Sequence, residues 1–110
     1  MIMEKDFEVK REGTVLTVVL GEELERTNSP VLTDELTLYK DQGVEKLVFD
    51  ATKLTYISSS GIRVILYCKK YLSDNLEIVF VNCNKDILKV LDLVGIQPYI
   101  TFVNTTSDAG

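Results

Sequence analysis

Asp50-Ala51-Thr52-Lys53-Leu54-Thr55-Tyr56-Ile57-Ser58-Ser59-Ser60-Gly61-Ile62-Arg63-Val64-Ile65-Leu66 decides how this chain is read. The stretch takes over from a short apolar run, Glu45–Asp50, closes it with a carboxylate, crosses a polar loop and opens a helix on three consecutive serines. Serine hydroxyls at a helix start accept hydrogen bonds from first-turn N–H groups that lack partners inside the helix, so Ser58-Ser59-Ser60 reads first as an N-cap. The same place suits a regulatory phosphate, because the free N–H groups and the positive end of the helix dipole both favour an anion. Taken alone, the stretch leaves cap and switch open.

Working towards the N-terminus, Ser29-Pro30 predicts a helix with Ser29 as cap and proline at the first helical position, where its missing N–H costs nothing. That helix is expected to run to about Gln42 and to end at Gly43, with Leu32, Leu36 and Tyr39 on its buried face. Upstream, Phe7, Val9 and Arg11 alternate with polar neighbours, and Glu12-Gly13 separates them from the run Thr14–Leu20. This pattern predicts an antiparallel hairpin whose half-polar first strand is an edge and whose second strand, apolar on both faces, is interior.

Working towards the C-terminus, the serine helix runs to about Leu72 and is apolar nearly all round, with a narrow polar arc of Arg63, Tyr67, Lys70 and Asp74. Such a helix either packs against both the sheet and a neighbouring helix or presents part of itself to a partner. Leu76–Val81 is a further strand with two apolar faces. Asn84 caps a third helix that carries Ile87, Leu88, Leu91 and Val94 on one face, and Gly95 closes it with Ile96 placed for a C-cap contact. Tyr99–Val103 reads as a last short strand and residues 104–110 as a frayed tail.

The order is α/β, a mostly parallel open sheet with an N-terminal antiparallel hairpin and packed helices, in one domain over residues 1–110. In such sheets the carboxyl ends of the strands carry the functional loops, here Gly21-Glu22-Glu23, Asp50 to Ser59, and Asn82 to Lys85. A net charge of −5 without a Lys/Arg cluster argues against nucleic acid and anionic membrane and for a protein partner or small ligand. The charged start Met1–Asp6 is not a signal peptide and no apolar run reaches membrane-spanning length, so a cytoplasmic protein is expected, mainly as a monomer.

Catalysis is not expected. The chain has no histidine, which removes Ser-His and Cys-His pairs, and Cys68 and Cys83 read as buried reduced thiols and not as zinc ligands. Neither phosphate-binding glycine motif occurs. Lys53 and Lys85 are available as bases for Ser59, but nothing in their placement indicates a depressed pKa. Glu22, Glu23 and Asp50 admit a magnesium-dependent phosphoacceptor reading, which the placement of Asn82 and Lys85 in one loop and the opening hairpin disfavour. No metal or cofactor is expected.

Asp50 to Gly61 resembles the signature of STAS domains of the anti-sigma factor antagonist type, an Asp, a polar loop, an apolar pair and Asp-Ser-Ser-Gly. Gly21 to Leu32 is similar to that family's other motif, a Gly-x-Leu-Asp-like turn followed by Asn-Ala-Pro and a helix, and Asp92-Leu93-Val94-Gly95-Ile96 is similar to its last helix end. The resemblance covers nearly the whole chain in order. It implies a STAS fold and a bacterial switch in which the chain binds an anti-sigma factor with serine kinase activity and so releases the sigma factor. It also implies that phosphorylation of Ser59 breaks that complex and that a PP2C-type serine phosphatase restores it.

Ser58 stands where the family has Asp and is therefore a rival acceptor, and Glu25 is the nearest match to the turn's Asp. The implied partner surface comprises Glu22, Glu23, Glu25, Thr27, Asn28, Ser58, Ser60, Gly61 and Arg63, with Gly61 admitting the partner's backbone. On that reading Gly61→Arg abolishes binding while the fold survives. The alternative within the family is a constitutive accessory subunit, of a transport or signalling complex, in which the serines only cap the helix.

Overall fold

The computed structural model describes residues 7–105. β1 (Phe7–Glu12) and β2 (Val15–Leu20) form the expected antiparallel hairpin, turned by Gly13 at φ +62°. β4 (Lys46–Asp50), β6 (Glu77–Val81) and β7 (Ile100–Val103) then add in parallel, giving the order β1-β2-β4-β6-β7 with β1 at an edge and β2 interior. The crossovers carry α1 (Ser29–Thr37), α2 (Ser59–Tyr71) and α3 (Lys85–Leu93). Each crossover steps to the same side, so crossovers of one hand lay all three helices on one face of the sheet.

That one-sided packing is written in the burial. Leu16, Val18, Leu47, Phe49, Ile78 and Phe80 point to the helices and are buried, with Phe49 and Phe80 in ring contact at 5.1 Å. Their alternates Val15, Val19, Val48 and Val81 are only half-buried and lie outside the core, while Val79 on the same face is buried at 7% exposure. The second apolar face of these strands is thus partly open, although β2 lies inside the sheet as its two apolar faces predict. α2 packs against both sheet and α1, burying Ile62, Val64, Ile65 and Cys68, and leaves Leu66 46% exposed.

Four boundaries differ from the sequence-based expectation. α1 ends at Thr37, not near Gln42, because the chain tightens into i→i+3 turns from Leu38 to Gln42. Asp41 then enters the left-handed region at φ +60° and its N–H donates to the Leu72 carbonyl, which fixes the exit of the segment against α2. The residue before the helix is Asn28, not Ser29, and Ser29 is itself buried in the first turn. Residues 97–99 form a 3₁₀ turn, so the last strand begins at Ile100. Asn84 caps α3 as expected, accepting from the Ile87 N–H at 2.9 Å, and Gly95 at φ +80° lets the Ile96 N–H reach the Leu91 carbonyl at 3.1 Å. The expected tail starts too early: Thr105 N–H donates to Asn82 Oδ1 at 2.9 Å, while residues 106–110 and the charged start Met1–Asp6 lie outside the described residues.

Candidate functional site

Two loops at the carboxyl ends of β2 and β4 are zipped together by a second, two-stranded parallel sheet, β3 (Glu23–Leu24) with β5 (Tyr56–Ile57). Thr55 N–H and Tyr56 N–H both donate to the Glu22 carbonyl, at 2.8 and 3.2 Å, and Ser58 N–H donates to the Leu24 carbonyl at 2.9 Å. The ladder therefore sets the acidic loop of residues 22–28 directly beside the serine-bearing start of α2. A two-residue strand has no hydrophobic period, which is why the sequence reads both pieces as loop.

The three serines have three different environments. Ser58 is the N-cap, with extended backbone at ψ 176°, and its hydroxyl accepts from Ser60 N–H at 3.1 Å and from Gly61 N–H at 3.4 Å. Ser59 is the first helical residue, is exposed, and its hydroxyl makes no hydrogen bond to a described residue. Ser60 is half-buried. Capping, which the sequence assigns to the triplet as a whole, thus belongs to Ser58, and Ser59 has an unengaged hydroxyl at the positive end of a thirteen-residue helix. Arg63 is exposed one turn further on and shares the face of Ser59.

Gly61 faces β3 and β5 of its own chain. It is buried, and a Cβ there would stand 2.8 Å from the Leu24 carbonyl oxygen, 2.8 Å from Ile57 Cγ1 and 3.0 Å from Leu24 Cγ. The close backbone approach that calls for glycine is made by β3 of the same chain. The expectation that Gly61→Arg leaves the fold intact is corrected accordingly.

On the acidic loop, Glu22, Glu23, Glu25, Thr27 and Asn28 line a shallow open concavity of about 390 Å³. Glu22 and Glu23 are exposed. Glu25 is bound inward to its own turn, its carboxylate accepting from the Thr27 hydroxyl, from Thr27 N–H at 2.8 Å and from Asn28 N–H at 3.1 Å. Those bonds, the Thr27 hydroxyl's first, hold the Glu25 carboxyl below its usual range. Asn28 is 7% exposed, accepting from Glu25 N–H and donating to the Glu23 carbonyl, each at 2.8 Å, and so braces the loop.

The loop after β4 is held from two further sides. Asp50 accepts from the Thr52 hydroxyl at 2.6 Å and from Thr52 N–H at 3.1 Å, Asn82 Nδ2 donates to Thr52 Oγ1 at 2.9 Å, and Asn84 Nδ2 donates to the Leu54 carbonyl at 3.0 Å. Thr52 is a support that the sequence did not single out, although the Asp-x-Thr spacing is that of a side-chain-closed turn, and the bonds of Asn82 and Asn84 to this loop were likewise not foreseen. Among the described residues no three His, Cys, Asp or Glu side chains converge on a metal position. No helix among them is long and apolar enough to cross a membrane.

The result is a one-sided α/β domain with its candidate site at a helix start, braced by loops from neighbouring strand ends. A model of the STAS domain matches residues 6–109, and the chain belongs to that family. It is 28% identical over 101 residues, 91% of this chain and 86% of the relative, to BtrV of Bordetella bronchiseptica, a candidate anti-sigma factor antagonist. The fold is similar to that of the anti-sigma factor antagonist SpoIIAA in its unphosphorylated form, with a TM-score of 0.80 at 16% identity, over 94% of this chain and 92% of that one. It is also similar to the Bacillus cell fate determinant SpoIIAA in its phosphorylated form, with a TM-score of 0.72 at 16% identity over 94% and 96%. The STAS fold implied by the motifs is therefore the fold of this chain.

Proposed function

We propose that this chain is a cytoplasmic anti-sigma factor antagonist, a binding module and not a catalyst, which engages an anti-sigma factor carrying serine kinase activity and is released when Ser59 is phosphorylated. The observation that carries the reading is the division of labour between neighbouring serines. Ser58 satisfies the helix start, which leaves the exposed Ser59 hydroxyl free to be modified without loss of the cap. A phosphate at Ser59 adds about −1.5 to −2 charges beside a loop that already presents Glu22 and Glu23. The helix N-terminus accommodates that charge within the fold, so the cost falls on the interface. Arg63, Thr27 and the exposed acids supply the rest of the partner surface, while Asn28 and Gly61 shape it from beneath. A PP2C-type serine phosphatase, removing the group, resets the switch.

The test is a capture and binding experiment. Immobilised chain is expected to retain a small ATP-binding kinase from native lysate, and the Ser59→Ala variant is expected to retain it equally. Ser59→Asp is expected to stay folded and to bind at least about tenfold more weakly, a loss near 1.4 kcal/mol, because aspartate carries only part of the phosphate's charge. A Ser59→Asp variant that binds as the parent does would refute the switch and leave a constitutive accessory subunit as the reading.

A further inference from the structure

β1 is one edge of the five-stranded sheet and has a neighbouring strand on one side only. The hairpin fixes which of its backbone groups face outward. The Thr14 carbonyl accepts from Lys46 N–H at 3.2 Å and so points across to β4, which by alternation turns Val15, Thr17 and Val19 towards β1. Their partners Glu12, Lys10 and Glu8 bond back to them, and the N–H and C=O groups of Val9 and Arg11 point out of the edge. The side chains divide between the two faces of the sheet. Glu8, Lys10 and Glu12 stand exposed on the helix-free face, while Phe7 and Val9 pack against the core. Arg11, on the helix side, is already engaged, its guanidinium donating to the Gly13 and Gln42 carbonyls at 2.9 and 2.7 Å.

Charges along an open edge keep unrelated strands away, yet a particular spacing of charges also selects one partner. Antiparallel pairing of β1 with a second β1 about a two-fold axis admits two registers that match five residues a side. Centred on Lys10, it sets Lys10 against Lys10 and Glu8 against Glu12, so every pair on the helix-free face is of like charge. Centred on Val9, it sets Glu8 against Lys10 at both ends of the pairing, and Glu12 falls beyond the matched residues. That second register also brings the outward N–H and C=O groups of the two Val9 residues face to face as mutual donors and acceptors.

We propose that the chain pairs with a second copy of itself through β1, in the register centred on Val9, to join two sheets into one. A pairing this short buries little surface, so the dimer is weak, with Kd between about 10 and 500 µM, and the chain is mainly monomeric at lower concentration. The start of α2 lies at the carboxyl end of β4, two strands in from this edge, so the pairing leaves Ser59 outside the interface. The dimer therefore presents two serine sites, turned to opposite ends by the antiparallel axis.

The experiment is sedimentation equilibrium of the full chain from about 5 µM to 1 mM, where the mass is expected to rise from that of one copy towards that of two. Glu8→Lys or Lys10→Glu alone makes both facing pairs like-charged and is expected to raise Kd at least about tenfold. Both positions are exposed, so the thermal midpoint of each variant is expected to stay within a few degrees of the parent. The double variant Glu8→Lys with Lys10→Glu restores opposite charges and is expected to return Kd to within about threefold of the parent. An equimolar mixture of the two single variants is expected to form a mixed dimer of similar strength, because lysines then face glutamates at both ends. A chain that stays monomeric throughout, a dimer indifferent to either single variant, or a folded double variant that fails to dimerise would each overturn the proposal.

Discussion

Replacing Ser58 and Ser59 one at a time by alanine separates the two jobs assigned to the triplet. In Ser58→Ala, the Ser60 and Gly61 N–H groups lose an acceptor at 3.1 and 3.4 Å. The second bond is long, so the loss is close to that of one ordinary cap, about 1 kcal/mol. For a chain of 110 residues this lowers the thermal midpoint by about 4 °C. In Ser59→Ala no bond is lost, and alanine is the better helix former at the first helical position, so stability should hold to within about 0.5 kcal/mol. Ser58→Asp restores a capping oxygen and is expected to recover most of the deficit. Calorimetry on the three variants reads these differences directly. Equal losses in the two alanine variants, or a stability loss confined to Ser59→Ala, would refute the assignment of the cap to Ser58 and with it the claim that the Ser59 hydroxyl is free.

Other expectations follow from the same geometry. Gly61→Ala places a methyl 2.8 Å from the Leu24 carbonyl oxygen and from Ile57 Cγ1, and the overpacking is expected to cost about 1–3 kcal/mol in urea denaturation; an unchanged midpoint would return Gly61 to the partner surface. Because the Glu25 carboxyl is held below its ordinary value of 4.5, its contribution to the acidic loop is present above that pH and is lost as pH falls through the lowered value. NMR titration of the Thr27 and Asn28 amides should therefore give a midpoint under 4.5, and a midpoint at or above it would contradict the bonding described. Burial pushes the Cys68 thiol up to about 12, so it should not react quickly with a thiol reagent at pH 8 until the chain is unfolded, and rapid native labelling would disprove its burial; Cys83, which is half-buried and not fully buried as the sequence suggests, should label before it.

Periodicity and caps made most of the fold legible. The Glu12-Gly13 hairpin, the strands ending at Asp50 and Val81, and the Asn84 cap each rest on local chemistry that the tertiary structure leaves in force. What escaped the sequence is what long-range bonds decide. Leu38 and Tyr39 prolong the apolar pattern of α1, yet Asp41 is pulled into the left-handed region where its N–H meets Leu72. β3 and β5 exist through pairing with each other rather than through any propensity of two residues. At the site, residue types suggested exposure for Asn28 and Gly61, and both turn inward because the acidic loop needs an internal brace and a close seat on α2. The distinction between Ser58 and Ser59 is likewise geometric, since either hydroxyl has the chemistry of a cap and only the start of α2 fixes which one bonds.

The central claim is that phosphate on Ser59, and on no other residue, switches the partner off. The direct measurement is incubation of the chain with its captured kinase and ATP, followed by intact-mass analysis, fragmentation to locate the group, and binding of the separated modified form. One phosphate on Ser59, none on the Ser59→Ala variant, and a modified form that stays folded but no longer holds the partner is the predicted result. Phosphate on Ser58 instead, or a Ser59-phosphorylated chain that binds as the unmodified one does, would contradict it.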